Sequence, residues 1–342
     1  MNTLELSASN PADILRAAAL LRAGELVAIP TETVYGLAAN ALDPAAVAKI
    51  FEAKGRPQDN PLIVHVADAA QALPLVKEFP FTAQRLAEAF WPGPLTVILP
   101  RADHVPAIVS ARLSTLALRV PAHPGSQALL RACGFPLAAP SANRSGAPSP
   151  TMASHVLDDL GGRIAAVLDA GPCGVGIEST VVDLTRGKPL LLRPGAVSPG
   201  QLENLLGEIE ISTAVTQPLG RGERAASPGL KHKHYAPRAR LTLVKGPLAA
   251  FLAYARREGA DGLLCFDADE IPEGWPVLRY GERPEEQARR VFGALRGIDA
   301  LGLQKVCVRC PAQEELGLAV YNRLLRAAAF RVVEILEVDD VS

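Results

Sequence analysis

No apolar stretch of this chain reaches the roughly 18 residues needed to cross a bilayer, and the N-terminus has neither the basic nor the apolar region of a secretory signal. Cysteine is scarce. The five present are an odd number, widely scattered, which suits a reducing cytoplasm and not a disulfide framework. A surplus of one charge is also missing: 35 Lys and Arg stand against 36 Asp and Glu, for a net charge of -1. A protein that coats nucleic acid over its whole surface would be strongly basic, so only a local basic patch remains open. The common catalytic signatures are absent too, with no GxxxxGK[ST] phosphate loop, HExxH pair, GxSxG elbow or kinase set. No Asp/Glu cluster is spaced to build a dedicated metal cage.

What is present is a soluble globular composition, 49% apolar and 21% charged, in 342 residues. That length is long for one core and predicts two domains. Proline is abundant, 29 residues against the ordinary level of roughly 5%. It clusters in loops such as Trp91-Pro92-Gly93-Pro94 and Ala147-Pro148-Ser149-Pro150, where it stiffens the backbone. The segment Lys54-Gly55-Arg56-Pro57-Gln58-Asp59-Asn60-Pro61 lies between a helical run (Val47, Ile50, Phe51) and a strand-like run (Leu62–Val66). It reads as a stiff helix-to-strand loop holding two cations on a short backbone, suited to an anion or else simply solvated. Pro30–Leu37 places two threonines, a carboxylate and a tyrosine just beyond a strand end, where open α/β sheets collect ligands. Thr31 and Thr33 could equally cap the start of a helix.

Further strands are expected at Leu95–Leu99, Thr115–Pro121, Ala165–Leu168, Ser179–Leu184 and Leu190–Leu192. Helices are expected near Ala69–Lys77, Thr82–Phe90, Gln127–Cys133 and Pro199–Leu206. Strands and helices do not alternate strictly, so the first domain, residues 1–207, is read as α/β with α+β character on a twisted mixed sheet. The glycines of Gly171–Gly176 are not a dinucleotide fingerprint, because the spacing differs and a β-branched strand follows. Residues 208–240 form a linker, and residues 211–240 carry six Lys or Arg against one Glu, a net +5. A long basic loop of this kind is a candidate lid. From 241 to 342 strand–helix alternation predicts a small parallel-sheet, Rossmann-like domain. Cys307-Val308-Arg309-Cys310 is read as structural, since residues three apart on a strand point to opposite faces.

Cations at loop and strand ends (Lys54, Arg56, Arg119, Arg193) and polar donors (Thr33, Asn60, Ser141, Asn143, Ser179) suit a polyanion with a small polar partner. Positioning and electrostatics carry phosphoryl or nucleotidyl transfer with little covalent help from protein. Composition goes no further and does not name the substrate.

Five loops, in order, resemble those of the YrdC-type threonylcarbamoyl-AMP synthases: Pro30–Leu37, Lys54–Leu62, Trp91–Thr96, Pro140–Asn143 and Leu192–Gly195. The linker from Ser227-Pro228-Gly229 to His234-Tyr235-Ala236-Pro237 and the C-terminal domain are similar to the long, two-domain form. The resemblance implies synthesis of L-threonylcarbamoyl-AMP and pyrophosphate from L-threonine, bicarbonate (or CO2) and ATP. Mg²⁺ would be held on the phosphates rather than by protein ligands. It places Lys54, Arg56, Asn60, Thr115, Ser141, Asn143, Ser149 and Arg193 on the nucleotide side, with Lys54 and Arg56 at the phosphates and Tyr235 closing over ATP. Thr33, His65, Arg119 and Ser179 fall where the family binds threonine. A downstream tRNA threonylcarbamoyl-transfer system and a weak contact with tRNA or double-stranded RNA are implied as well. A non-catalytic RNA-binding module and a carbamoyltransferase-like enzyme are the competing readings; the zinc-finger and acylphosphatase segments of the latter are absent.

Overall fold

A computed structural model describes residues 2–218 and 235–335. Among these, residues 2–145 and 149–218 form one compact unit, and 146–148 with 235–335 form a second. The loop stretch Ser227–His234 singled out above lies outside the described residues.

The first unit is built on an eleven-stranded sheet. Its strands are β1 (Leu4–Ser7), β2 (Val27–Ile29), β3 (Gly36–Asn40), β4 (Ile63–His65), β5 (Leu95–Pro100), β6 (Thr115–Arg119), β7 (Leu137–Ala138), β8 (Ala166–Asp169), β9 (Thr180–Asp183), β10 (Leu190–Arg193) and β11 (Glu210–Ile211). They lie in the order β1-β8-β2-β3-β7-β4-β6-β5-β9-β10-β11. Pairing is mixed, as expected: β4–β6 and β5–β9 are parallel, while β2–β3, β5–β6 and β9–β10 are antiparallel. The helices are α1 (Pro11–Arg22), α2 (Pro44–Lys54), α3 (Ala69–Ala72), α4 (Phe81–Phe90), α5 (Pro124–Cys133), α6 (Ala153–Leu160) and α7 (Pro199–Leu206).

Local signals account for these boundaries. Asp43 accepts hydrogen bonds from the Ala45 and Ala46 amides at the start of α2, with Pro44 in its first turn. Gly55 ends that helix in the left-handed region at φ 61°, where a residue with a Cβ is strained. Ser198 and Gln201 form a reciprocal capping box on α7. Pro30–Tyr35, by contrast, starts no helix. It is the turn between antiparallel β2 and β3, and the Thr31 hydroxyl accepts from the Thr33 and Val34 amides. Thr31 therefore stabilises a turn, the other common use of such a side chain. Order also continues past residue 207, since Glu210–Ile211 pairs in parallel with β10.

Alternation along the middle strands divides two environments. Val64, Val97, Leu118, Val182 and Leu191 enter the main core with Val47, Ile50 and Phe51 of α2. Their neighbours Ile63, Ile98, Ala117, Val181 and Leu192 form a small cluster on the opposite face. With a side-chain period of two, His65, Thr96, Arg119 and Ser179 share that second face.

The second unit holds a five-stranded sheet of β12 (Arg240–Lys245), β13 (Gly262–Cys265), β14 (Val277–Arg279), β15 (Lys305–Arg309) and β16 (Val332–Glu334), in the order β14-β13-β15-β12-β16. Every pairing is parallel, as the alternation predicts. Its helices are α8 (Leu248–Arg257), α9 (Pro284–Ala300) and α10 (Glu315–Ala327). Cys307 is buried in the core of this unit.

Gly195 is a packing test of the first unit. A Cβ there would lie 2.4 Å from the Thr180 amide nitrogen, 2.7 Å from the Ser179 carbonyl carbon and 2.8 Å from the Glu178 carbonyl oxygen, all backbone atoms. Gly195→Ala is expected to cost about 2 kcal/mol or more. Gly187→Ala, with open space around it, should be close to neutral. Equal thermal midpoints for the two variants would contradict this packing.

Candidate active site

Arg119, the last residue of β6, is 4% exposed and has three fixed partners. Its Nε donates to the Gly93 carbonyl at 3.2 Å, Nη1 to the Thr33 hydroxyl at 2.8 Å and Nη2 to Glu32 Oε1 at 2.6 Å. Thr33, fully buried, lies 2.8 Å from the Thr31 hydroxyl. His65 stands directly opposite Arg119 in the parallel β4–β6 register. Burial, reinforced by the Arg119 charge, pushes the His65 pKa down to about 3. Its Nδ1 faces the Ile63 carbonyl at 3.3 Å. A carbonyl only accepts, so Nδ1 carries the proton and Nε2 offers a lone pair.

Two strands away, Ser179 Oγ lies 2.8 Å from Thr96 Oγ1 and accepts from Arg193 Nη2 at 3.1 Å. Arg193 Nε donates to the Ser179 carbonyl at 3.0 Å. The β9–β10 register shifts between Leu191 and Arg193, and this irregularity sets Arg193 opposite Val181. Bulges commonly re-aim a side chain in this way.

A second cluster forms where α2 ends. Lys54 is 3% exposed, and its Nζ donates to the carbonyls of Ser141 and Asn143, each at 2.5 Å. Burial, then the neighbouring Arg56, lowers its pKa well below the ordinary lysine value. Arg56 Nη2 reaches back over its own loop to the carbonyls of Asn60 (3.4 Å) and Pro61 (3.1 Å). Asn60 is 1% exposed, and its Oδ1 is a buried acceptor without a protein partner. Thr115 begins β6, where it pairs with Pro100 of β5, and it stands four residues along the strand from Arg119, about 13 Å away.

Backbone contacts tie the clusters together. Gly36 bridges to Ser141, the Ala142 amide donates to the Tyr35 carbonyl, and the Tyr35 amide donates to the Pro150 carbonyl. The Val175 and Gly176 amides donate to the carbonyls of Glu32 and Thr33, and Ser149 donates to Glu178 beside Ser179. Thr33, His65, Arg119 and Ser179 thus gather with Arg193, while Lys54, Arg56, Asn60, Ser141 and Asn143 gather next to them, and Ser149 lies between; Thr115 stands at the opposite end of β6 from Arg119. Tyr235 belongs to the second unit, where its ring lies 5.2 Å from that of Phe292 and 5.9 Å from the Arg323 guanidinium. Glu32, Thr96 and Glu178 are site residues that the sequence reading did not single out. Glu32 stands between two threonines of a noted loop, and Thr96 shares the strand parity of the polar face. Among the described residues no group of three His, Cys, Asp or Glu is placed to hold a metal.

The buried neutral imidazole has a consequence for stability. The unfolded chain takes up the His65 proton near pH 6.5 and the folded protein only near 3. Between these values the unfolded state binds more protons, so stability is present above pH 6.5 and is lost as pH falls. Urea unfolding is expected to show about 2 kcal/mol less stability at pH 5 than at pH 7 from this group. His65→Gln should flatten that slope, and an unchanged slope would contradict it.

Residues 19–195 match the family of Sua5, YciO and YrdC, described as telomere recombination, and residues 197–329 match the C-terminal domain of threonylcarbamoyl-AMP synthase. The chain is 45% identical over 331 residues to the threonylcarbamoyl-AMP synthase of Pyrococcus abyssi, covering 93% of this chain and 95% of that one. It is 44% identical over 341 residues to that of Bacillus subtilis, covering 97% of each. The solved structure of P. abyssi Sua5 complexed with L-threonine matches with a TM-score of 0.92 and 42% identity, over 98% of this chain and 100% of that one. No helix among the described residues is long and apolar enough to cross a membrane. A mixed-sheet unit with this polar face, followed by a small parallel-sheet unit, places the chain in the threonylcarbamoyl-AMP synthase family, in its long two-domain form.

Proposed function

We propose that the protein joins L-threonine, bicarbonate (or CO2) and ATP into L-threonylcarbamoyl-AMP with release of pyrophosphate. The observation that carries this reading is the adjacency of two buried clusters. One has a guanidinium, hydroxyls and a neutral imidazole, and the other pairs an ammonium with a guanidinium. The first suits a small zwitterion with a hydroxyl, and the second suits a polyphosphate. The co-structure of the P. abyssi relative with L-threonine supports the first assignment.

A guanidinium has five N–H donors, and Arg119 commits three to protein. One remains on each terminal nitrogen, matching the two oxygens of the threonine carboxylate. His65 Nε2 accepts from the hydroxyl or the amine. Ser179 and Thr96 supply further hydroxyls on the same face. The amine passes a proton to bicarbonate, which gives CO2 and water; the free amine captures the CO2 as a carbamate and releases its second proton to solvent; a carbamate oxygen then attacks the α-phosphorus, and pyrophosphate leaves. No protein nucleophile is required. Lys54 and Arg56 offset charge developing on the phosphates, exchanging carbonyl partners for phosphate oxygens. The donors of this cluster are cations, amides and hydroxyls, which fit phosphate oxygens rather than a metal. Mg²⁺ would accordingly be carried by the phosphates and water, where it neutralises charge on ATP. The product would be consumed in the cytoplasm by a transfer system acting on the adenosine beside the anticodon of tRNA, with any direct RNA contact weak.

Omitting ATP, Mg²⁺, bicarbonate or threonine in turn while measuring pyrophosphate tests this reading. Release should require all four, and threonine-independent release would overturn it. Lys54→Ala and Arg56→Ala are each expected to lower kcat by about 10²-fold with little change in threonine affinity. An unchanged kcat in both would remove this loop from phosphate transfer.

A further inference from the structure

We propose that Glu32 is a positioning residue that sets amino-acid affinity by holding the Arg119 guanidinium in one orientation, an inference that rests on the function proposed above. Glu32 Oε1 accepts from Arg119 Nη2 at 2.6 Å, and Oε2 accepts from the Ala122 amide at 3.0 Å. Its own carbonyl accepts from the Val175 amide at 2.7 Å, so both ends of the residue are fixed. The carboxylate is 15% exposed and the guanidinium 4%, which makes this the most buried ion pair among those described. The Arg119 partners come from two segments: Gly93 before β5, and the adjacent Glu32 and Thr33 in the β2–β3 turn.

These three contacts hold a flexible four-bond side chain in a single plane. They leave one donor on each terminal nitrogen for a ligand carboxylate. Of the three partners only Glu32 is charged. The bond to Glu32 is charged on both sides and is the shortest of the three, at 2.6 Å, whereas only the guanidinium is charged in the other two. The Glu32 charge also acts against a ligand carboxylate at the same guanidinium. Glu32 thus has two effects of opposite sign: fixing the plane tightens binding, and the like charge weakens it. A substitution that keeps the acceptor and drops the charge separates the two.

Steady-state kinetics with ATP, Mg²⁺, bicarbonate and threonine provide the test. Glu32→Ala loses the anchor, so the threonine KM is expected to rise about tenfold or more, while the KM for ATP stays within about twofold of wild type. Glu32→Gln keeps one acceptor oxygen for Arg119 and gives up the one at the exposed Ala122 amide, and the threonine KM should return to within about threefold of wild type or fall below it. A loss confined to kcat, an equal rise in both KM values, or a Gln variant as impaired as the Ala variant would overturn the proposal. A fall in threonine KM in both variants would show that Glu32 merely competes with the substrate carboxylate, and would overturn it as well. Threonine titration by calorimetry reads the same contrast as direct affinity, and thermal melts establish that each variant is folded. Failure of the functional reading itself looks different, because wild-type protein would then release no threonine-dependent pyrophosphate.

Discussion

A charge taken out of water must find fixed partners, and that requirement shapes the first unit. Lys54, Arg56, Arg119 and Arg193 are each less than a tenth exposed. Long basic side chains ordinarily keep their heads in solvent. Here backbone carbonyls from Gly93, Ser141, Asn143, Asn60, Pro61 and Ser179 take their place. Those carbonyls lie in loops next to strand and helix ends, where the backbone ladder leaves groups unpaired. Lys54 and Arg119 therefore stitch together segments far apart in sequence, while Arg56 braces its own loop and Arg193 holds the segment entering β9, and these segments in turn hold each cation where a ligand's anionic group can meet it.

The sheet supplies the second half of the arrangement. Alternate residues of the middle strands enter the main core, and the intervening ones carry His65, Thr96 and Arg119. Burial that holds the strands in register thus also fixes the polar face, because a one-residue slip would exchange the two. The irregularity in the β9–β10 pairing is the local exception that turns Arg193 toward Ser179. A site built on strands in this way is held more firmly than one built on loops alone.

Much of this was legible in the sequence, for identifiable reasons. The Lys54–Pro61 loop is bounded by a clear helical stripe and an apolar strand, and its prolines and glycine mark the turn; the structure places α2 and β4 on either side. The parallel second sheet followed from regular strand–helix alternation. Pro30–Tyr35 was ambiguous because threonine stabilises helix caps and strand turns by the same hydroxyl-to-amide bond, and only pairing of Gly36–Asn40 with β2 decides between them. Leu4–Ser7, Glu210–Ile211 and Val332–Glu334 are short edge or near-edge strands with few buried side chains, so they leave little hydrophobic pattern. Glu32 was visible as the carboxylate of its loop but without a role, for another reason: its importance lies in a contact 87 residues away, and no local spacing announces it.

The central claim is that an amino-acid carboxylate and the phosphates of ATP occupy adjacent clusters on one polar face. A crystal structure with threonine and a non-hydrolysable ATP analogue measures this directly. The carboxylate is expected within hydrogen-bond distance of Arg119, beside His65, with phosphate oxygens at Lys54 and Arg56. A carboxylate bound elsewhere, or a triphosphate that leaves both cations on their carbonyl partners, would contradict the account.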